Sequence, residues 1–320
     1  MSNMGVATKE QLTYIDNTVY SPKSAPLVAR SLFSSINVGQ DSVAYRYRVR
    51  SGNAMAQAYV NRATDIPVVD EGFKEYETPI TQSALACSYS WLELARAQAA
   101  NVDLLSDQAQ LVARGMAERE DRIIFNGLDT GSDSTSIIGL TNTHTDITGF
   151  QQIDMAQNGK TLDDYAADTE DGPLAMRNFF QDAVGRITHL VGYASAQPVL
   201  LLPQAQIDLL NRPINKYNPQ ITVLSLIQPW FSSIQAVPEL EGQYWHARNA
   251  SIADRQKNMG IICLTDPDIC AIPDAMLLTR LQQEYHDGVT KIPYVERHGG
   301  LAVRYPSAFV QLLNINNATK

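Results

Sequence analysis

Asn101-Val-Asp-Leu-Leu-Ser-Asp-Gln-Ala-Gln-Leu-Val-Ala-Arg-Gly-Met-Ala-Glu-Arg-Glu-Asp-Arg-Ile-Ile-Phe-Asn-Gly127 decides how the rest of the chain is read. Its apolar positions Val102, Leu105, Ala109, Val112 and Met116, then Ile123, Ile124 and Phe125, advance mostly by threes and fours. Such steps gather them on one face of a helix. Glu118, Arg119, Glu120, Asp121 and Arg122 are expected to face water, and Asn126-Gly127 supplies a left-handed stop. About 24 residues at 1.5 Å each make a rod of roughly 36 Å. That length suits a scaffold better than a pocket, and residues 127–140 then turn the chain.

Upstream of the rod lie two strand signals. In residues 43–50, Val43, Tyr45, Tyr47 and Val49 alternate with Arg46, Arg48 and Arg50, a period of two. In residues 71–80, Glu71, Phe73, Glu75 and Glu77 alternate with Gly72, Lys74, Tyr76 and Thr78. Antiparallel pairing sets an arginine face against a glutamate face. About 20 residues separate the strands, far more than a tight hairpin needs. A two-stranded ribbon with so long a tip is not stable alone in water. It is therefore expected to lie on a neighbouring copy of the chain, a mobile surface loop being the competing reading. Tyr45, Tyr47, Tyr59, Phe73 and Tyr76 gather in this region, a mixture with Arg that suits a protein–protein interface as well as ordinary strands.

The 36 residues before the first strand read as an arm with little core of its own. Ser21-Pro22 and Ala25-Pro26 keep it extended until Leu27, Val28, Leu32 and Phe33 offer a short amphipathic turn. A short helix at residues 91–99 precedes the rod, and residues 163–171 read as an acidic surface loop. Pro173 opens a helix with a buried stripe of Met176, Phe180, Ala183, Val184, Ile187 and Val191, ended by Gly192. Pro198-Val-Leu-Leu-Leu-Pro203 reads as a buried strand. Residues 204–211 and 222–227 are helical candidates, and 233–237 and 259–264 further strands, so this region resembles an α/β layer. From Ala275 the texture is antiparallel β: residues 276–285, a turn at His298-Gly299-Gly300, then 301–304 and 308–313.

The 320 residues, 44% hydrophobic and 18% charged, are enough for a large core in one or two domains. No stretch approaches the ~18 continuous apolar residues of a membrane span. Residues 1–10 lack a signal-peptide core, so a cytoplasmic chain is expected. The net charge is −9 and no run of five basic residues occurs. Gripping nucleic acid through its phosphates takes clustered Lys and Arg, so this chain would enclose nucleic acid rather than hold it. Cys87, Cys263 and Cys270 read as buried thiols, neither a disulfide framework nor zinc ligands.

Asp129-Thr-Gly-Ser132 spells an aspartic-protease tetrad, but that chemistry needs two carboxylates sharing a proton at strand ends. One copy after a helix cap reads as a polar turn. Gly127, Gly131 and Gly139 lack the spacing of a phosphate-binding loop, and no G-x-S-x-G elbow occurs. The histidines, at 144, 189, 246, 286 and 298, are scattered without the i, i+4 pairing of a metal site. No catalytic constellation, metal or cofactor is expected.

Taken in order, these segments resemble the major capsid protein of tailed bacteriophages, with the Hong Kong 97-type shell fold. Val19-Tyr-Ser-Pro-Lys-Ser-Ala-Pro-Leu-Val-Ala-Arg30 is similar to the family's N-terminal arm. Asp65-Ile-Pro-Val-Val-Asp70 and Glu75-Tyr-Glu-Thr-Pro-Ile80 fall where its extended E-loop returns. Glu118-Arg-Glu-Asp-Arg-Ile-Ile-Phe-Asn-Gly127 with Ile138-Gly-Leu-Thr-Asn142 resembles the end of its spine helix and the following turn. Arg297-His-Gly-Gly-Leu-Ala-Val-Arg-Tyr-Pro-Ser-Ala-Phe309 resembles the closing hairpin of its peripheral domain.

The resemblance implies an α+β fold with a long spine helix, peripheral domain, axial domain, extended β-hairpin E-loop and N-terminal arm. Its divisions fall at 1–40 for the arm, 41–85 for the ribbon, 86–164 for the peripheral domain with the spine, 165–275 for the axial domain and 276–320 for the closing peripheral strands. It implies pentamers and hexamers of one chain forming an icosahedral shell around double-stranded DNA, with no sequence-specific DNA contact and no membrane. The shell would assemble in a bacterial host cytoplasm and end as a virion capsid. The short arm leaves no room for a built-in scaffolding segment, which implies a separate scaffolding protein, or none. A portal and decoration proteins are further expected partners. Arg46, Arg48, Arg50, Glu71, Glu75 and Glu77 are the candidates for ribbon or inter-subunit charge pairs. Some relatives weld their shells by a Lys–Asn isopeptide bond; Lys74 with Asn316 (or its neighbours Asn314 and Asn317) would be the pair here. The rival within the fold is an encapsulin-type bacterial nanocompartment enclosing a cargo enzyme, and the rival outside it is an α/β enzyme whose site converges from loops.

Overall fold

The computed structural model describes residues 26–51, 72–100, 103–129, 136–155, 160–168, 170–215, 217–245 and 257–317. Outside them lie the arm up to Ala25, the ribbon tip with Tyr59 and residues 65–70, Glu71, Val102, residues 130–132 of the Asp129 tetrad, and His246.

In chain order, the turn α1 (Ala29–Leu32) leads to β1 (Ser35–Asn37), then the ribbon strands β2 (Ala44–Ser51) and β3 (Gly72–Pro79). Next come β4 (Thr81–Ser90), α2 (Trp91–Ala99) and the rod, α3 (Leu104–Asn126). The middle of the chain holds α4 (Thr145–Thr148), β5 (Gln151–Asp154), α5 (Leu162–Ala167), α6 (Gly172–Thr188), β6 (Val199–Leu202), α7 (Gln204–Leu210), α8 (Val223–Ile227), β7 (Ser233–Ala236), α9 (Gly242–Trp245) and β8 (Gly260–Cys263). It closes with β9 (Cys270–Arg280), β10 (Glu284–His286), β11 (Val289–His298), β12 (Ala302–Val303) and β13 (Phe309–Leu313).

Local chemistry accounts for the rod. Asp103 caps it by accepting from the Ser106 N–H at 3.2 Å, which satisfies a donor the helix would leave open. Gly127 stops it at φ 75 and ψ −175. That backbone is positive in φ but extended, so the stop differs from the left-handed cap expected. A Cβ on Gly127 would fall 2.5 Å from the Ile137 carbonyl oxygen, and one on Gly139 only 2.2 Å from the Gly127 nitrogen. Glycine at both positions lets the returning chain cross tightly under the helix end, where Leu128 and Ile137 form a bridge.

The burial of the rod departs from the expected stripe. Val112, Met116, Ile123, Ile124 and Phe125 are buried, but Leu105 and Leu111 are exposed, the latter at 69%. In the first two turns Leu104, Gln108 and Ala109 are only half-buried. Glu120 and Asp121, expected to face water, are 5% and 3% exposed.

Two sheets share the core. In the first, β11 pairs antiparallel with β4 over ten positions, Val289↔Ser90 to His298↔Thr81, and on its other side with β9. Asp287 and Gly288, at φ 50 and 80, make the two-residue turn from β10 to β11, whose doubly positive φ matches strand twist. The rod packs on this sheet through Cys87, Val112, Met116 and Ile292. The second sheet has the order β5-β13-β8-β6-β7. Every residue of β6 and β8 is buried, as a strand covered on both faces requires. Helix α6 buries Met176, Phe180, Ala183, Val184 and Ile187 against the core.

Further departures are local. Val191 is 97% exposed because α6 ends at Thr188, so it does not belong to the stripe, nor does Gly192 end the helix. The acidic stretch holds a helix, α5: the Thr161 and Asp164 side chains form a capping box, and Leu162 beside it is fully buried. Ribbon pairing ends at Pro79, and residues 81–85 belong to β4 of the first sheet. Residue 275 lies inside β9, which runs unbroken through the expected domain boundary.

Candidate assembly interface

The ribbon's register is set by its residues. Arg46 stands opposite Glu77, Arg48 opposite Glu75, Arg50 opposite Phe73 and Val49 opposite Lys74. Directly opposed residues share a face, so the arginines and glutamates cover one side. Arg46 Nη2 lies 2.6 Å from Glu77 Oε2, and Arg48 Nε 2.7 Å from Glu75 Oε1. Both pairs are exposed. The other side is aromatic: the rings of Tyr45, Tyr47 and Tyr76 stack in series with centroids 5.8 and 5.6 Å apart.

That aromatic side rests on the chain's own body. The Tyr47 hydroxyl donates to the Val303 carbonyl at 2.7 Å, and Arg304 Nη2 donates to Tyr45 Oη at 3.1 Å. Arg297 donates to the carbonyls of Gln40 and Ser42 just before β2. Burial, with Tyr76 and Tyr45 nearby, pushes the Tyr47 phenol up to about 12. The ribbon's root is thus held within one copy, contrary to the expectation that only a neighbour could brace it. Beyond the root, β3 from Gly72 to Glu77 is exposed.

The arm is anchored by buried charge. Asp121 Oδ1 accepts from the backbone N–H groups of Val28 at 3.1 Å and Ala29 at 2.7 Å. Arg30 forks onto Asp274 at 2.5 and 3.0 Å and meets Glu120 at 2.6 Å. Burial works against the Arg30 charge, and the bonds to Asp274 and Glu120 more than offset it, so its pKa rises. Around this knot, burial pushes Glu120 up and, with help from Glu120, takes Glu296 to about 7; burial lowers His298 to about 4. One cation from the arm therefore ties α3 to β9 and lies beside β11. Charge in a segment read as wet gave no warning of it, although Glu120 falls on the stripe from Val112 and Met116 to Ile123 and Ile124.

Lys74 stands exposed on the ribbon. Asn316 lies past β13, where its Oδ1 accepts from the Asn258 N–H at 2.5 Å and its Nδ2 donates to the Asn317 carbonyl. The chain does not bring the two into hydrogen-bonding contact. Cys263 and Cys270 are buried free thiols, with burial pushing Cys270 up to about 12. Among the described residues no group of three or more His, Cys, Asp or Glu is placed to hold a metal ion, and no helix is long and apolar enough to cross a membrane.

The family described as "Major capsid protein" matches residues 54–315, most of the chain. The chain belongs to that family. The capsid of Myoviridae phage XM1 shares its fold at a TM-score of 0.72 and 12% identity, covering 98% of this chain and 100% of that one. A chain of Mycobacterium phage Adephagia has a TM-score of 0.62 at 13% identity, covering 99% and 100%. The capsid chain of a native GTA particle gives 0.62 at 11%, covering 95% of each. No curated protein matches by sequence. The capsid protein has the α+β Hong Kong 97-like fold, with α3 as its spine helix, and its function is to form the shell. Membership favours the viral shell over the nanocompartment.

Proposed function

We propose that this capsid protein closes an icosahedral shell around double-stranded DNA from pentamers and hexamers of itself, assembled in the bacterial host cytoplasm. The observation that carries the proposal is the ribbon: rooted on its own body by an aromatic face, it presents a charged face that nothing among the described residues covers. An acidic chain of net charge −9 suits a container that holds DNA without gripping it. Its role is structural and needs no catalytic step. The axial domain, residues 165–275, would take β6, β7 and β8 with α6 to α8, and the peripheral domain would take α3 with β4 and β11.

Arg46, Arg48, Arg50, Glu71, Glu75 and Glu77 then set ribbon register and meet adjacent copies. Exposed pairs contribute about 0–1 kcal/mol each, so shell strength comes from summing many weak contacts through multivalency. A separate scaffolding protein, a portal and decoration proteins would complete the particle. Light scattering on the purified chain, after it is expressed with its neighbouring structural genes, tests the proposal: megadalton particles are expected, and a small discrete oligomer contradicts it. Boiled particles on a denaturing gel test the Lys74–Asn316 weld: ladders above the 35.3 kDa chain support it, and a single band excludes it.

A further inference from the structure

Glu239 sits on the 3-10 turn Pro238–Leu240, with its carboxyl beside that of Asp121 on α3. Asp121 Oδ2 and Glu239 Oε2 are both buried, and among the described residues no amide, guanidinium or hydroxyl reaches either oxygen. Two carboxylates have no proton to donate, so facing oxygens require that one carboxyl keep its proton. The opposite oxygen of Asp121 takes two backbone N–H groups, from Val28 and Ala29. Those bonds favour the ionised form of Asp121. Glu239 has only its own backbone N–H against the two that Asp121 takes, so it is the protonated partner, donating to Asp121.

The charges around the pair do not remove that need. On α3, Arg114 acts on Asp121 but is engaged by Glu118 at 2.7 Å, and the buried Glu120 adds negative charge. Arg122, the cation acting on Glu239, has an exposed side chain. From the arm, Arg30 is taken by Asp274 and Glu120. Burial, and the proximity of Asp121, push Glu239 above its ordinary 4.5.

We propose that Asp121 and Glu239 form a one-proton latch, which clamps the arm turn and the Pro238–Leu240 turn to the long helix and loosens when that proton leaves. Two adjoining buried carboxylates repel, and the strain falls on the bonds that Asp121 makes to the arm. There α1 is four residues long with no side-chain cap of its own, and Asp121 binds its first N–H groups from 93 and 92 residues away. The native state keeps a proton that the free side chain would lose, so the clamp is complete at acid pH and is lost as pH rises through the raised value. The latch lies within one copy and acts whether or not shells form.

Hydrogen–deuterium exchange of the peptide covering residues 27–33 in the full-length protein, corrected for intrinsic exchange, reads the latch directly. From pH 4.5, the ordinary carboxyl value, up to pH 9, the protection of the Val28 and Ala29 amides is expected to fall about tenfold or more as local opening becomes easier. In Glu239→Gln, whose amide donates to Asp121 without titrating, protection should stay level. Should that variant fail to fold, Asp121→Asn makes the same test, since its amide keeps an acceptor for the arm and a donor for Glu239. Level protection in the unmodified protein overturns the latch, and so does an equal fall in the variant.

Discussion

Arg30 joins two elements with one guanidinium, binding Glu120 on α3 and Asp274 on β9. With Arg30→Ala, Glu120 and Asp274 lose their cation while staying buried; because the Arg30 side chain is 40% exposed, the cost falls below the about 3–5 kcal/mol of a fully buried pair. A clear drop in the urea midpoint is expected. Arg30→Lys keeps the charge but loses the fork on Asp274 and should fall between the two. The adjacent Glu296 and His298 each contribute to how stability responds to pH. Glu296 rises from 4.5 to about 7, so its contribution is present at low pH and lost as pH climbs through that window. His298 falls from 6.5 to about 4, so its contribution is present above 6.5 and lost as pH drops toward 4. These two offset each other between, and of the pair the Glu296 loss alone remains above about pH 6.5. Glu296→Gln should therefore narrow the difference in melting temperature between pH 6 and pH 8; an unchanged difference contradicts the assignment.

Little of this knot was legible in the sequence. Five charged residues in a row, 118–122, look like the wet side of a helix, and three of them are: Glu118, Arg119 and Arg122 are exposed. The partner that admits Glu120 to the interior comes from the arm, 90 residues upstream, and no local pattern announces it. Spacing alone offered a hint, because Glu120 lies four residues after Met116 and three before Ile123.

Elements were more legible where period and capping agreed. The ribbon's alternation of Arg and Glu against Tyr and Val specified both strands, and their pairing puts Arg48 beside Glu75. Strand β4 escaped notice because Gln82-Ser-Ala-Leu-Ala-Cys87 carries few β-branched or aromatic residues; its ten-position ladder with β11, not its propensity, holds it. Helix α5 was lost to its acidic composition, although Thr161 and Asp164 have the spacing of a capping box. Reversing Arg48 to Glu should leave the monomer folded, since the pair is exposed, yet impair assembly in size exclusion. Adding Glu75→Arg restores the cross-strand pair: recovery of assembly assigns the pair to register, and continued failure assigns Arg48 to a neighbouring copy.

At the scale of the whole molecule, the order of parts mattered more than any motif. An arm, a ribbon, a long helix, an α/β layer and closing antiparallel strands carried the family resemblance, and the fold and the family match agree with it. What composition could not convey was how the ribbon divides its faces, one hydrogen-bonded to the chain's own Val303 and Arg304 and one left open. A cryo-electron reconstruction of the assembled protein shows which face meets a neighbour. Closed icosahedral particles are expected, in which the Arg46–Glu77 and Arg48–Glu75 face of each ribbon lies against an adjacent copy. Particles whose ribbons touch only their own subunit, or a protein that stays monomeric at high concentration, would contradict that expectation.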